Sequence, residues 1–202
     1  WRCIPIALLV GTVLSLVNQG SVIASGDAGA ATETGSGNIE APLPTAALAE
    51  SQSEILFQHK HWEVEVVGFD DGSFACLAEV DAQTDSFTIW LYADNTVKLQ
   101  FYSTSWDFGD GDTADLQVQI GNRSPWNLNA ADLYKNSILF NLPDSDQSVG
   151  FLTEVAQGSR LFLRTAAGEP VMDYSLQGSS ASMAALGECG DALKQSDGNP
   201  FD

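Results

Sequence analysis

Two consecutive segments place an apolar residue at every second position. In His61 to Phe69, Trp62, Val64 and Val66 alternate with Glu63 and Glu65; in Phe74 to Val80 the apolar set is Phe74, Cys76, Ala78 and Val80. A helix of 3.6 residues per turn scatters such a pattern around its surface, whereas an extended strand gathers it on one face. Both segments are therefore half-buried strands. Asp70-Asp71-Gly72 between them supplies residues that tolerate positive φ, so the strands form an antiparallel hairpin with Cys76 on the core side.

The pattern continues. Phe87 to Tyr92 carries Ile89 and Leu91, turns at Asp94-Asn95, and pairs with a strand in which Val97, Leu99 and Phe101 alternate with Lys98, Gln100 and Tyr102. Beyond a Gly/Asp loop, Leu116, Val118 and Ile120 mark another strand. Asn122-Arg123-Ser124-Pro125 is a turn, and Ser137 to Leu142 a further strand stopped by Pro143. Ser145 or Asp146 is placed to cap a helix to Gln157 with Val149, Leu152 and Val155 on one stripe and Gly158 at its end. Leu161 to Arg164 and Val171 to Leu176 read as a hairpin about Ala167-Gly168. Ser179 or Ser180 then caps a last helix with Met183, Leu186, Cys189 and Leu193 on one side. The expected fold is mainly β, a meander or sandwich of about seven to nine strands with two short helices.

Charge and cysteines bound the compartment and the partners. Residues 1–24 read as a secretory signal: Arg2, an apolar run of 14 residues from Ile4 to Val17, and the small-residue site Val22-Ile23-Ala24. The alternative, a membrane anchor, needs roughly 20 apolar residues. After cleavage no span remains. Residues 25–54, rich in Gly, Ala, Ser and Thr with a few acids, read as a disordered linker, 55–194 as the β-rich domain and 195–202 as a disordered tail. Beyond Ala24 the chain keeps all 27 acidic residues and all but one of its eight basic ones, and the basic residues are scattered singly. Such a surface repels phosphates, which excludes nucleic acid as a partner. Export also removes Cys3, leaving Cys76 and Cys189 in an oxidising compartment, where they are expected to pair and tie the last helix to the sheet; the alternative is two separately buried thiols.

Three groups of residues bear on chemistry. Asp107, Asp110, Asp112 and Asp115 cluster about Gly109 and Gly111, a composition suited to a hard cation such as calcium; their spacing is not that of an EF-hand, and an exposed turn has the same composition. No other cofactor is expected. His59 and His61 are placed by alternation on one strand face, where they read as solvated histidines and as two ligands short of a metal site. Tyr92, Tyr102, Trp106 and Trp126 are candidate surfaces for stacking on a sugar or a protein, or else core and sheet-edge packing. Ser179-Ser180 lacks a nucleophile elbow.

The strand of Trp62, the core cysteine Cys76, and the ending Tyr174-Ser175-Leu176-Gln177-Gly178-Ser179-Ser180 through Ala184-Ala185-Leu186 to Cys189 together resemble uncharacterised exported proteins of alphaproteobacteria. More distantly they are similar to the invasion-associated locus B family, whose periplasmic members have an early Trp-x-Val strand, a following cysteine and a closing strand, Leu-x-Gly and Ala-rich helix. The likeness spans Trp62 to Cys189 and departs from the family in cysteine number and acidity. It implies an exported β-sandwich-like domain acting at the cell envelope or in host contact, with no catalytic residues to carry over. The expectation is a non-enzymatic binding or envelope-associated module, periplasmic or secreted, with a protein or envelope component as partner. The alternative is a calcium-dependent or carboxylate-based enzyme acting on envelope polymers.

Overall fold

A computed structural model of the chain describes residues 52–143 and 145–195; residues 1–51 and 196–202, which hold the expected signal, nearly all of the linker and the tail, lie outside the described residues. The elements are, in chain order, β1 (Gln52–His59), β2 (Trp62–Gly68), β3 (Phe74–Asp81), β4 (Asp85–Tyr92), β5 (Val97–Ser103), β6 (Asp110–Ile120), β7 (Trp126–Tyr134), β8 (Ser137–Asn141), α1 (Ser145–Gln157), β9 (Arg160–Thr165), β10 (Pro170–Ser175) and α2 (Ser179–Gln195). The ten strands form one antiparallel sheet in the order β1-β2-β3-β4-β5-β8-β7-β6-β9-β10.

This sheet folds over onto itself. The ring of Tyr174 on β10, at one end of the strand order, lies 5.9 Å from Phe87 on β4 and 6.1 Å from Phe101 on β5. The alternating side chains of β2 to β5 therefore meet those of β6, β9 and β10 in one core, which includes Trp62, Val64, Ile89, Leu99, Val118 and Leu163. Alternation on β5 is complete: Val97, Leu99, Phe101 and Ser103 are buried, and the residues between them are half-exposed. The turns follow their residues as well. Asn95 adopts φ 67° between β4 and β5, and the Asp94 carboxylate accepts the Thr96 amide at 2.8 Å.

The mainly β architecture with two helices is as the pattern requires, with ten strands where seven to nine are expected. The strands that the sequence pattern does not mark are β1 and β7. The Gly/Asp segment is not a loop up to Leu116: β6 begins at Asp110, with bulges between Asp110 and Asp112 and between Ala114 and Leu116 that break the period of two. The segment after Pro125 is strand β7, and β1, almost wholly exposed, extends three residues ahead of Ile55.

Both helices cover the same core. In α1 the buried stripe is Ser148, Phe151 and Val155, while Val149 is 63% exposed, a rotation from the expected stripe. Phe151 sets it by packing edge-on against Trp126 at 5.6 Å. Helix α2 buries Leu186, Cys189 and Leu193, and comes so close to β4 that a Cβ on Gly190 would lie 2.5 Å from Leu91. Cys189 and Cys76 of β3 form a disulfide across 113 residues, with Cα atoms 6.1 Å apart. Such a bond belongs to an oxidising compartment. Among the described residues no helix is long and apolar enough to cross a membrane.

Candidate binding cleft

The fold-over leaves an opening where the end of β3, the turn into β4, the β1–β2 turn and the hairpin of β9 and β10 converge. It is a cleft of about 420 Å³ lined by His61, Val80, Asp81, Ala82, Gln83, Arg160 and the stretch from Asp173 to Ser175. A second hollow of about 370 Å³ adjoins it and shares His61 and Asp81.

Each wall has a local cause. His59 ends β1 and His61 lies in the two-residue turn to β2, with Lys60 at φ 59°. The two histidines are thus separated by a turn and do not share a strand face, which corrects the alternation reading. The opposite lip is the β3–β4 turn: the Asp81 carboxylate accepts the Gln83 amide at 2.7 Å, the Ala82 amide donates to the Asp85 carbonyl at 2.8 Å, and Gln83 stands at φ 72°. On the third side, cross-strand neighbours on β9 and β10 set Arg160 beside Asp173 as an ion pair. Below them Tyr174 is 3% exposed. Burial first, then the negative charges of Asp85 and Asp173, push its phenol well above the ordinary value. The hydroxyl therefore stays protonated and donates to the Met172 sulfur at 3.1 Å. Nearby, the buried indole N–H of Trp62 has no partner among the described residues.

Apart from His61, which lines the cleft, and His59, which lines the adjoining hollow, the residues singled out from sequence lie elsewhere. Asp107 is in the loop before β6, Asp110 and Asp112 are within β6, and the Asp115 carboxylate accepts the Ala130 amide of β7 at 2.8 Å. Among the described residues no three or more His, Cys, Asp or Glu side chains are arranged to hold a metal ion. Trp126 is half-buried and structural: its indole N–H donates to the Glu154 carboxylate of α1 at 3.0 Å. Trp106 packs on Phe108 at 5.3 Å, Tyr92 lies under the Lys98 ammonium at 5.5 Å, and Tyr102 is on the outer face of β5. The hydroxyl of Ser179 does not cap its own helix. It donates to the Val155 carbonyl at 2.7 Å, satisfying the last turn of α1 and joining the two helices.

Sequence reasoning missed the cleft because its walls come from residues some hundred positions apart. The local signal available was a glutamine, not a glycine, in the short turn before β4.

No family model matches the chain, and no curated protein matches it. Among solved structures the chain is similar to the crystal structure of invasion associated protein b from Bartonella henselae, with 16% identity, a TM-score of 0.45, and coverage of 70% of this chain and 99% of that one; this is the family that the segment from Trp62 to Cys189 resembles.

Proposed function

We propose that this protein is a non-catalytic binding module of the periplasm or the cell exterior, and that the cleft beside Arg160 and Asp173 receives an envelope component. The observation that carries the reading is the state of the cleft's polar groups. Arg160 is paired with Asp173, Asp81 holds the turn of Gln83, and the Tyr174 hydroxyl is held protonated. The Ser175 hydroxyl accepts the Gln177 amide at 3.3 Å. A nucleophile needs an adjacent free base, and a general base needs a proton to reach; here Asp81, Asp173 and Ser175 are each engaged by a neighbour, which leaves His61 as the remaining candidate base of the lining. What the lining offers is fixed hydrogen-bonding positions on a rigid sheet, which suits recognition.

The test is co-sedimentation of the full-length protein with isolated envelope material. Wild type is expected to bind, Ser175→Trp, which fills the mouth, to bind at least tenfold more weakly, and Gln117→Trp on β6 to bind as wild type. Undiminished binding by Ser175→Trp overturns the placement. Turnover of an envelope polymer that is lost in Asp173→Asn overturns the non-catalytic reading.

A further inference from the structure

We infer that the cleft takes a cationic group, a primary ammonium seated on the Asp81 carboxylate, an inference that rests on the cleft being the binding site. The first argument is charge. The lining holds two carboxylates, Asp81 and Asp173, against one guanidinium, Arg160, with His61 formally neutral at pH 7. Arg160 is engaged by Asp173, and among the described residues no cation stands within ion-pair distance of Asp81. One negative charge is therefore left over at the lip of the cleft. The adjoining hollow does not offset it, because its Lys60 is matched by Glu63. The floor senses the same sign: after burial, the charges that act on the Tyr174 phenol are the negative ones of Asp85 and Asp173. The chain's 27 acidic residues against eight basic ones draw cations toward the surface and keep anions away.

The hydrogen bonding of the carboxylate narrows the cation. Its Oδ1 accepts the Gln83 amide at 2.7 Å, which holds the group in one orientation and leaves Oδ2 without a partner among the described residues. A guanidinium pairs best through two parallel hydrogen bonds to both oxygens of a carboxylate, whereas an ammonium is a point charge with three rotatable donors and needs only one. Its remaining N–H groups can turn to the exposed Gln83 carboxamide oxygen or to water. A metal ion fits less well, since among the described residues no three or more His, Cys, Asp or Glu side chains are arranged to hold one.

The experiment is an amide-resolved NMR titration of the full-length protein at low salt with the acetylated amides of lysine and of arginine, with inorganic phosphate and with a glucose disaccharide. The expected result is saturable shifts at residues 61, 80–83 and 173–175 with the lysine probe, at least threefold weaker binding of the arginine probe, and none of phosphate or the disaccharide. Asp81→Asn keeps an acceptor for the Gln83 amide and removes the charge. It is expected to melt as wild type and to bind the lysine probe at least tenfold more weakly, while Glu188→Gln, which removes one exposed charge from α2, binds as wild type. Equal binding by Asp81→Asn overturns the seat, and arginine binding as tight as lysine binding overturns the ammonium. Shifts in the cleft with phosphate or the disaccharide, and none with lysine, overturn the ligand class. Where no probe shifts the cleft, the cation inference falls, and the envelope binding of Ser175→Trp decides separately whether the cleft falls with it.

Discussion

Gly158 sits where α1 ends against β6 and the strand-to-helix segment after β10. A Cβ there would lie 2.5 Å from Ile120, 2.8 Å from Leu176 and 3.0 Å from the Glu154 carbonyl. Two of these are fully buried core side chains and the third is backbone, so the clash has no easy relief. Gly158→Ala is expected to cost about 1–3 kcal/mol, the range for overpacking, read as a lower urea midpoint; an unchanged midpoint would mean that α1 is free to shift. At the outer face of β2 and β3 the effect is electrostatic. Glu63 stands directly opposite Glu79, with Glu65 beside them. Burial, then repulsion from Glu63 and Glu79, raises the Glu65 carboxyl above its ordinary value of 4.5, with Ser53 opposing. The folded state thus binds this proton more tightly than the unfolded one, and its stability rises as pH falls through the folded value toward the unfolded one. Glu65→Gln is expected to gain about 0.5 kcal/mol at neutral pH, in the range of a relieved like-charge pair, and to flatten that part of the stability profile. A loss of stability at neutral pH contradicts this account.

At the scale of elements, the disulfide decides how α2 is held. Its buried Leu186 and Leu193 pack on the sheet, and Gly190 permits close approach, but the covalent tie to β3 closes a loop of more than a hundred residues. In the chain-entropy account such a loop is worth roughly 4.7 kcal/mol. Reduction, or the double change Cys76→Ser with Cys189→Ser, is expected to lower the urea midpoint by more than about 1 M, given a slope of about 1–3 kcal/mol per M; an unmoved midpoint contradicts a stabilising bond. Which elements were legible follows from how strictly they alternate. β2 to β5 carry apolar residues at every second position, two of their three joining turns are Asp/Gly or Asp/Asn while the third is Ala82-Gln83-Thr84, and the stripe of α2 named its cysteine. β7 was not legible because Ala130 at φ 54° and the facing bulge put Leu128 and Ala131 out of step. β1 has no buried face to alternate. The two strands at the open edges, β1 and β10, each carry a bulge, between Ile55 and Phe57 and between Pro170 and Met172, a device that hinders edge-to-edge pairing.

At the scale of the molecule, few carboxylates among the described residues find a cation. Among the described residues the ion pairs are Arg160 with Asp173 and Lys194 with Asp191; Lys98, Lys135 and Arg164 lie over aromatic rings, and Arg123 donates to the Glu154 carbonyl and Gln157. Among the described residues the acidity is thus left largely without paired cations. Fold class and disulfide were readable before any coordinates because both rest on periodicity and on counting. The cleft was not, because only the folding-over of a ten-stranded sheet brings His61 and Asp81 to Arg160 and Asp173. The central claim, that this cleft is where the protein meets its partner, is tested most directly by amide hydrogen exchange on the full-length protein with and without isolated envelope material. The account predicts added protection confined to residues 59–62, 80–85 and 172–176. Protection concentrated on the outer face of β4 and β5 or on the helices, with the cleft segments exchanging as before, would contradict it.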